Sequence, residues 1–315
     1  MKRMLLLMPF FMGYEKILAD QFSNGYDVTL VNSDEFDKEI IADYFQCSKL
    51  HWGARHVLKN LEIREQEEAA SKTDAKVLEK ISHEDNAYDI VFCINGGYLS
   101  KSVFTQIKAK NPDAQYILYL WDDVDNLFSS THTELFDKVF AYNIQDCKKH
   151  SWTYQPMFVQ SGFIGHKENE YDIAFIGSAH SDRMKIAKLL HDKYSEKYRL
   201  FIYLYDPNDS KQEFCHNIPL SYAEYLEVLS KSKAVIDLPA DVQKGPTTRL
   251  FDALQTETKV ITTNKNLSMY PVFSNNVHIV DRDKWEIDDD FMNKDYEKTE
   301  YQALTPDKWI KSFGL

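Results

Sequence analysis

The sequence has no excess of basic residues, and this limits the partners that the protein can have. Its 315 residues include 37 lysines and arginines against 49 aspartates and glutamates, which gives a net charge of −12 at pH 7. Unspecific binding to nucleic acid needs a basic surface that neutralises phosphates. The charge balance therefore disfavours an unspecific nucleic-acid-binding protein, and no nucleic acid is expected among the partners.

Closely spaced cysteines are also missing. The four cysteines lie far apart and form no Cys-x-x-Cys pair; they are Cys47, Cys93, Cys147 and Cys215. This pattern is typical of reduced thiols in a reducing compartment, and it disfavours a zinc site.

No apolar run is long enough to span a bilayer. At the N-terminus, the apolar stretch from Met4 to Met12 is interrupted by Pro9, and no small-residue cleavage site follows it. A signal peptide would require such a site. The stretch is therefore predicted to be a buried first strand, and the protein is predicted to be cytoplasmic.

What the sequence does contain is ordinary globular composition, with 43% hydrophobic and 27% charged residues. Short apolar runs alternate with helical patterns, which predicts βαβ units around parallel sheets. A polar helical pattern at 51–82 needs no role beyond a solvated face. The predicted strands are 4–9, 27–31, 90–94, 116–121, 136–142, 171–178, 199–204, 234–238, 259–262 and 277–280. The predicted helices include 14–22, 181–194 and 222–230.

The alternating pattern stops after Tyr142 and restarts at Tyr171, with Pro156 and two glycines between. We therefore predict an α/β protein with two Rossmann-like domains, 1–155 and 156–285, each with its own core. The acidic segment 286–315 is predicted either to be a solvated connection or to return towards the first domain. Because ligands bind beyond the carboxyl ends of parallel strands, two such domains are expected to face a shared cleft.

One stretch, QKGPTTRLFDALQTETKVITTN at 243–264, gathers donors where a helix is predicted to begin. Lys244, Thr247, Thr248 and Arg249 would surround the positive end of that helix and its free N–H groups, which suits a phosphate. Asp252 falls on the same helix face and suits the hydroxyls of a ribose. The alternative is an ordinary helix that Thr247 or Thr248 caps, with Arg249 and Asp252 paired at i, i+3.

A second strand end carries a similar signal. Gly177 and Ser178 end the strand at 171–178, and Arg183 lies in the helix that follows. The glycine allows a phosphate to approach closely, although Gly-Ser is equally common as a simple turn. His180 either contacts donor phosphates or has no role. The glycine spacing is not G-x-G-x-x-G, so dinucleotide binding is disfavoured.

These motifs together resemble a known family. The segments YAEYLEVLSKSKAVIDLP (222–239), GPTTRLFDAL (245–254) and KVITTN (259–264), with YDIAFIGS, YLWDD and FDKVFAYN, resemble GT-B glycosyltransferases of the bacterial polysaccharide and CgeB-like group. The resemblance implies that the C-terminal half binds a nucleotide-diphosphate sugar. The resemblance implies that Arg249, Thr247 and Thr248 lie at the pyrophosphate and Asp252 at the ribose. Together with the strand-end residues above, the candidate donor-site residues are Gly177, Ser178, Arg183, Lys244, Gly245, Thr247, Thr248, Arg249 and Asp252. The chain departs from the family by having Asp252 in place of a more frequent glutamate, and by lacking a glycine after the helix.

The first domain would then bind the acceptor. An inverting transferase needs a base for the attacking hydroxyl, and Asp122 at a strand end and Glu15 after the first strand are the candidates. Consecutive acids such as Asp122 and Asp123 are, alternatively, common helix caps. The resemblance implies no bound metal and no cofactor besides the donor, since Arg249, Lys244 and helix N-termini would stabilise the leaving diphosphate.

The function expected from these observations is transfer of a hexose from a nucleotide-diphosphate donor, UDP by frequency, to a growing bacterial surface glycan. That glycan would belong to lipopolysaccharide, capsule or exopolysaccharide, free or lipid-linked, and peripheral association with the inner membrane face is compatible with it. Two alternatives stay open. One is a nucleotide-sugar epimerase, and the other is a non-catalytic nucleotide-sugar-binding protein of the same fold.

Overall fold

The computed structural model describes residues 1–10, 13–33, 73–82, 87–96, 99–124, 132–159, 164–179, 182–207, 212–239, 243–273, 275–299 and 305–315. The chain divides into two compact units, Met1–Gln155 and Pro156–Leu315. The part of the polar helical pattern at 51–72 and the candidate His180 lie outside the described residues.

The first unit is built on a parallel sheet of six strands. These are β1 (Lys2–Met8), β2 (Tyr26–Asn32), β3 (Ile90–Ile94), β4 (Gln115–Leu120), β5 (Lys138–Ala141) and β6 (Thr153–Tyr154), in the order β2-β1-β3-β4-β5-β6. The described helices are α1 (Tyr14–Phe22), α2 (at 73–82), α3 (Lys101–Lys110) and α4 (Ile144–His150). All five strand pairings are parallel, as the alternation of strands and helices predicts.

Burial explains why the central strands of this unit are continuous apolar runs. All five residues of β3 are buried, as are the last five of β1. A strand of a parallel sheet is covered on both faces, so it has no polar alternation. The start of α1 is set by Gly13, which holds a left-handed conformation with φ 84° and leads into the first turn.

The second unit repeats this plan with a different strand order. Its strands are β7 (Tyr171–Ser178), β8 (Leu200–Tyr205), β9 (Cys215–His216), β10 (Ser232–Asp237), β11 (Lys259–Thr262) and β12 (Val277–Ile279), in the order β12-β11-β10-β7-β8-β9. The helices are α5 (Arg183–Tyr194), α6 (Tyr222–Ser230), α7 (Thr248–Thr256), α8 (Asp289–Asn293) and α9 (Pro306–Lys311). The chain runs outward from β7 to β9 and then restarts at β10, on the other side of β7.

Local sequence sets the ends of the helices in this unit. Ser221 and Glu224 form a capping box at the start of α6, since each side chain accepts from the other residue's backbone N–H. Trp309 of α9 is fully buried, and its Nε1 donates to the carbonyl oxygen of Pro156 at 2.8 Å. The ring of Trp309 packs against Phe158, with the two centroids 4.9 Å apart. The described part of the final segment thus belongs to the second unit, while the predicted return of 286–315 to the first unit stays a prediction.

The predicted parallel α/β organisation is confirmed. Several elements have the predicted bounds, namely α1, β3, β7, α6 and β11. The predicted strand at 136–142 is shorter, since only Lys138–Ala141 pairs with β4. Sequence reasoning missed α4, β6, β9 and α8, which are too short for a clear hydrophobic period. Among the described residues, no helix is long and apolar enough to cross a bilayer.

Candidate functional site

The strand order of the second sheet reverses between β7 and β10, which lie side by side. The ends of these two strands therefore meet at the carboxyl edge of the sheet. Open α/β sheets bind ligands in the crevice beyond such a switch point. The side chain of Arg249, from the first turn of α7, bridges these two strand ends. Its Nη2 donates to the carbonyl oxygen of Ile176 at 2.7 Å, and its Nη1 lies 3.5 Å from Asp237 Oδ1.

Arg183 bridges the same two strand ends from the start of α5. Its Nη1 donates to the carbonyl oxygen of Ser178 and its Nη2 to that of Leu238, both at 3.3 Å. The guanidinium lies over Gly177, where a Cβ atom would meet Arg183 Nη1 at 3.4 Å. The glycine therefore leaves room for a cation at this strand end.

Asp237 holds together the segments that form this edge. It is fully buried, and it accepts hydrogen bonds from Thr247 Oγ1 at 2.7 Å and Thr262 Oγ1 at 2.9 Å, besides its ion pair with Arg249. A buried carboxylate is tolerated only when donors compensate for its lost hydration. These contacts join the ends of β10 and β11 to the start of α7.

The start of α7 is left without a side-chain cap. Thr247 occupies the N-cap position, but its hydroxyl binds Asp237 instead of the first turn. The prediction that Thr247 occupies the N-cap position is therefore confirmed, but its side chain does not form the capping hydrogen bond. Asn264 Nδ2 donates to the carbonyl oxygens of Gly245 at 3.0 Å and Lys244 at 3.2 Å, which fixes the loop that leads into the helix. The positive end of the helix thus has no side-chain cap, although the N–H of Leu250 already donates to the carbonyl oxygen of Thr247 at 3.1 Å.

A third arginine, which sequence reasoning missed, adds to the positive charge of this edge. Arg282 follows β12 and makes two hydrogen bonds to Asp182, both at 2.9 Å, and a third to the carbonyl oxygen of Pro239 at 2.9 Å. Burial lowers the pKa of Arg183, and the charges of Arg249 and Arg282 lower it further, while the carboxylates of Asp237 and Asp182 act against this fall. Guanidinium groups crowded in this way favour an anion between them. The signal that could have identified Arg282 is its place just after a strand end.

Asp252 lies behind this edge rather than on it. It is 4% exposed, and its Oδ1 accepts hydrogen bonds from Tyr222 OH at 2.5 Å and Gln255 Nε2 at 3.1 Å. Burial raises the pKa of Asp252 to about 6, although these donors and Arg249 act against the rise. The ion pair of Arg249 is with Asp237, not with Asp252 at i, i+3. The role of Asp252 at a ribose stays a prediction.

The first unit carries carboxylates at the corresponding edge of its own sheet. Asp122 follows β4, and its Oδ2 accepts a hydrogen bond from Asn95 Nδ2 at 2.6 Å. The residue as a whole is exposed, although its hydrogen bond with Asn95 is part-buried and the surrounding protein partly desolvates the carboxylate. Partial burial raises the pKa of Asp122, the bond from Asn95 lowers it, and the charge of Asp123 raises it, with a net rise. A carboxylate with a raised pKa that still reaches solvent can accept a proton.

The other two acids at this edge are buried. Asp123 Oδ1 accepts from Tyr142 OH at 2.8 Å and from Asn143 Nδ2 at 2.6 Å, so it joins β4 to the start of α4. Glu15 lies in the first turn of α1 and is 8% exposed. Of the acids singled out from the sequence, Asp122 is thus the one on the surface.

The structure brings most of the predicted donor-site residues to one edge of the second sheet and leaves Asp252 behind it. The residues at the edge are Gly177, Ser178, Arg183, Lys244, Gly245, Thr247, Thr248 and Arg249. Asp122 and Glu15 follow strands of the first sheet.

Comparisons with known proteins bear on the fold. No family model and no curated protein matches the chain. Among solved structures, the chain is similar to MurG of Acinetobacter baumannii, with 8% identity, a TM-score of 0.58, and coverage of 100% of this chain and 98% of that chain. It is also similar to a glycotransferase of kitacinnamycin, with 9% identity, a TM-score of 0.51, and coverage of 99% and 91%. These likenesses confirm the predicted GT-B fold. At such low sequence identities, they show the fold alone.

Proposed function

We propose that the protein is a glycosyltransferase that takes its sugar from a nucleotide-diphosphate donor, whose diphosphate binds at the carboxyl edge of the second sheet. The observation that carries the proposal is the pair of guanidinium groups, Arg183 and Arg249, that bridges the ends of β7 and β10 beside the uncapped start of α7. In a chain with a net charge of −12, this concentration of cations at a ligand-binding position requires an explanation. A bound diphosphate supplies one.

The chemistry of glycosyl transfer fits these groups. When the bond between the sugar and the diphosphate breaks, negative charge grows on the leaving phosphate. Preorganised cations and backbone N–H groups stabilise that charge most effectively when they are already fixed in place. Asp237 and the carbonyl oxygens of Ile176 and Ser178 fix the guanidinium groups before any ligand arrives.

Asp122 is the proposed base. A nucleophilic hydroxyl must lose its proton during transfer, and a carboxylate whose pKa is raised towards the working pH accepts that proton more readily. Asp122 combines an exposed position with a raised pKa. Glu15 is buried, which makes it the weaker candidate.

The finer parts of the proposal rest on the sequence motifs. We propose a hexosyltransferase of the bacterial polysaccharide and CgeB-like group that acts in the cytoplasm without a metal. UDP is the expected nucleotide, and a bacterial surface glycan, free or lipid-linked, is the expected acceptor. The guanidinium cluster supports metal independence, because it supplies positive charge where a metal ion otherwise would. Asp252 is proposed near the ribose.

Nucleotide binding tests the donor site directly. The measurement is the thermal stabilisation of the protein by UDP, GDP, dTDP and CMP. A ligand at 100 times its Kd adds about 2.7 kcal/mol to the free energy of unfolding. Arg249→Ala should lower the affinity for the best nucleotide by about 1.5–3 kcal/mol, the size of a lost charge-assisted hydrogen bond. Arg199→Ala is the matched control, because Arg199 pairs with Asp172 at the opposite, amino edge of the same sheet. Equal affinities for wild type and Arg249→Ala would contradict the assignment.

Slow hydrolysis of the matching nucleotide sugar then separates a transferase from a binding protein. We expect sugar release that depends on the wild-type protein and continues in EDTA. Tight nucleotide binding without release, for every nucleotide sugar of the selected base, would instead support the non-catalytic alternative. Loss of release in EDTA, with recovery on adding Mg²⁺ or Mn²⁺, would contradict metal independence.

A further inference from the structure

Asn95 occupies an unusual backbone position at the carboxyl end of β3. It is 7% exposed and has a positive φ of 59°, a conformation that few residues other than glycine and asparagine adopt. Its backbone N–H donates to the carbonyl oxygen of Tyr119 in β4 at 2.9 Å. The residue is thus tied to the neighbouring strand by its main chain.

The side-chain amide of Asn95 is used at both ends. Its Oδ1 accepts from the backbone N–H of Trp121 at 3.0 Å, and its Nδ2 donates to Asp122 Oδ2 at 2.6 Å. The reverse orientation of the amide would place an NH₂ group against the N–H of Trp121, so the hydrogen-bond network fixes the assignment. One amide therefore binds two consecutive residues of the loop after β4.

The residue that follows restricts this arrangement further. Gly96 also has a positive φ, of 66°, and a Cβ atom there would lie 2.8 Å from Cys93 Sγ. Only glycine fits such a position without a shift of the buried Cys93. The turn that carries Asn95 is therefore held on the strand side by packing and on the loop side by hydrogen bonds.

We propose that Asn95 is a positioning residue that orients the carboxylate of Asp122 and stabilises its ionised form. With Oδ2 held by the amide, the other oxygen, Oδ1, is the one that stays available to accept a proton. The inference deepens the proposed function, because it rests on Asp122 as the base of glycosyl transfer. A carboxylate fixed in one orientation before the substrate arrives needs no reorganisation during the reaction.

The charges around Asp122 determine what loss of the amide does. Partial burial of Asp122 raises its pKa. The charge of Asp123, the charged residue that acts on Asp122 among the described residues, raises it as well. The bond from Asn95 is the contact that lowers it. Removal of the amide therefore leaves only contributions that favour the protonated acid, and the pKa of Asp122 should rise.

Carboxyl NMR of the protein labelled with ¹³C at aspartate tests this without any substrate. Asn95→Gly removes the amide and keeps the positive φ. The matched control is Asn111→Gly, since Asn111 is equally buried but bonds to Tyr88 N and the Ile107 carbonyl oxygen, at the start of β4 rather than its end. We expect the titration midpoint of Asp122 to rise in Asn95→Gly and not in Asn111→Gly. An unchanged midpoint in Asn95→Gly, or an equal rise in both variants, overturns the inference.

A second measurement needs only folded wild-type protein and Asp122→Asn. The side-chain NH₂ resonances of Asn95 should shift with pH at the midpoint of Asp122, and this shift should vanish in Asp122→Asn. If the Asn95 NH₂ resonances do not shift as Asp122 titrates, the inference is overturned, even if Asn95→Gly fails to fold.

The pH profile of nucleotide-sugar hydrolysis separates this inference from the proposed function. In Asn95→Gly, the acid limb of kcat/KM should move to higher pH together with the NMR midpoint. If the midpoint moves while the acid limb stays in place, Asn95 still positions Asp122, and it is the role of Asp122 as the base that fails.

Discussion

The carboxyl edges of the two sheets share one feature and differ in what surrounds it. Each edge contains a buried aspartate held by donors from neighbouring segments: Asp123 binds Tyr142 and Asn143, and Asp237 binds Thr247, Thr262 and Arg249. Beside Asp123 lies a second carboxylate, Asp122. Beside Asp237 lie guanidinium groups, those of Arg183 and Arg249.

This difference separates what the architecture supplies from what the side chains supply. In both units a parallel sheet collects loop residues at one edge, and a buried aspartate holds those loops together. The chemistry depends on the neighbours: a second acid gives a group that can take up a proton, and arginines give a group that can bind an anion. Fold alone would not distinguish the two edges.

The largest effect is expected at the acidic edge. Asp122→Asn removes the proposed base and keeps its shape, so sugar release should fall by about 10²–10⁴-fold. Nucleotide affinity should stay at the wild-type value, because Asp122 belongs to the other unit's sheet. Both are measured on the same preparation, by hydrolysis of the nucleotide sugar and by calorimetry with the nucleotide.

A matched acid controls for the charge change. Asp137 Oδ2 accepts from the backbone N–H of Tyr116 at 2.8 Å, at the amino edge of the same sheet. Asp137→Asn should leave sugar release within about twofold of wild type. Full activity in Asp122→Asn, or an equal loss in both variants, would remove the assigned difference between the two edges.

An intermediate effect is expected where the edges are alike. Thr247→Val deletes the hydroxyl that donates to buried Asp237, and Tyr142→Phe deletes the one that donates to buried Asp123. Each should lower the free energy of unfolding by about 1.5–3 kcal/mol, the contribution of a hydrogen bond to a charged group. Chemical denaturation measures both, with Thr247→Ser as the variant that keeps its hydroxyl.

The two deletions should then differ in their effect on ligand binding. Thr247→Val loosens the support of Arg249 and should weaken nucleotide binding, whereas Tyr142→Phe should not. Equal nucleotide affinity in the two variants would mean that Asp237 has no part in preparing the cationic edge.

The smallest effect concerns Asp252, the acid behind the cationic edge. Burial raises its pKa to about 6 in the folded protein, above the ordinary value of 3.8. Between these two pH values, the folded state therefore keeps a proton on Asp252 that the unfolded state has released. Its ionised form costs stability above pH 6, and that cost is relieved as the pH falls. Relative to Asp252→Asn, wild type should therefore gain about 1 kcal/mol of unfolding free energy from pH 8 to pH 5.

Asp252→Asn is itself a close match, because an amide oxygen can still accept from Tyr222 and Gln255. Unfolding by urea at several pH values gives the difference between the two proteins. A difference that stays constant with pH would show that Asp252 ionises at its ordinary pKa, as an exposed carboxylate does. Such a result would favour an exposed Asp252 at the ribose.

Much of the fold was predictable from the sequence, because buried parallel strands are continuous apolar runs. The strand YDIAFIGS and the helix starting after Ser221 have clear local signals, a buried run and a capping box. The edge positions of Gly177, Arg183 and Arg249 follow from one rule, that loops after parallel strands share an edge. Short elements such as β9, with two residues, carry no such signal.

The roles of individual polar residues were less predictable, because they depend on contacts distant in sequence. Asp237 accepts from Thr247 and Thr262, which lie 10 and 25 positions further along the chain. Asn95 is separated from Asp122 by 27 positions. Arg282 lies in a segment rich in charge of both signs, where one arginine does not stand out.

The most direct test of the donor site is a crystal structure of the protein with the nucleoside diphosphate that stabilises it most. The diphosphate oxygens should lie within hydrogen-bonding distance of the Arg183 or Arg249 guanidinium and of the first-turn N–H groups of α7. A diphosphate bound at the amino edge beside Arg199, or bound to the first unit alone, would contradict the account.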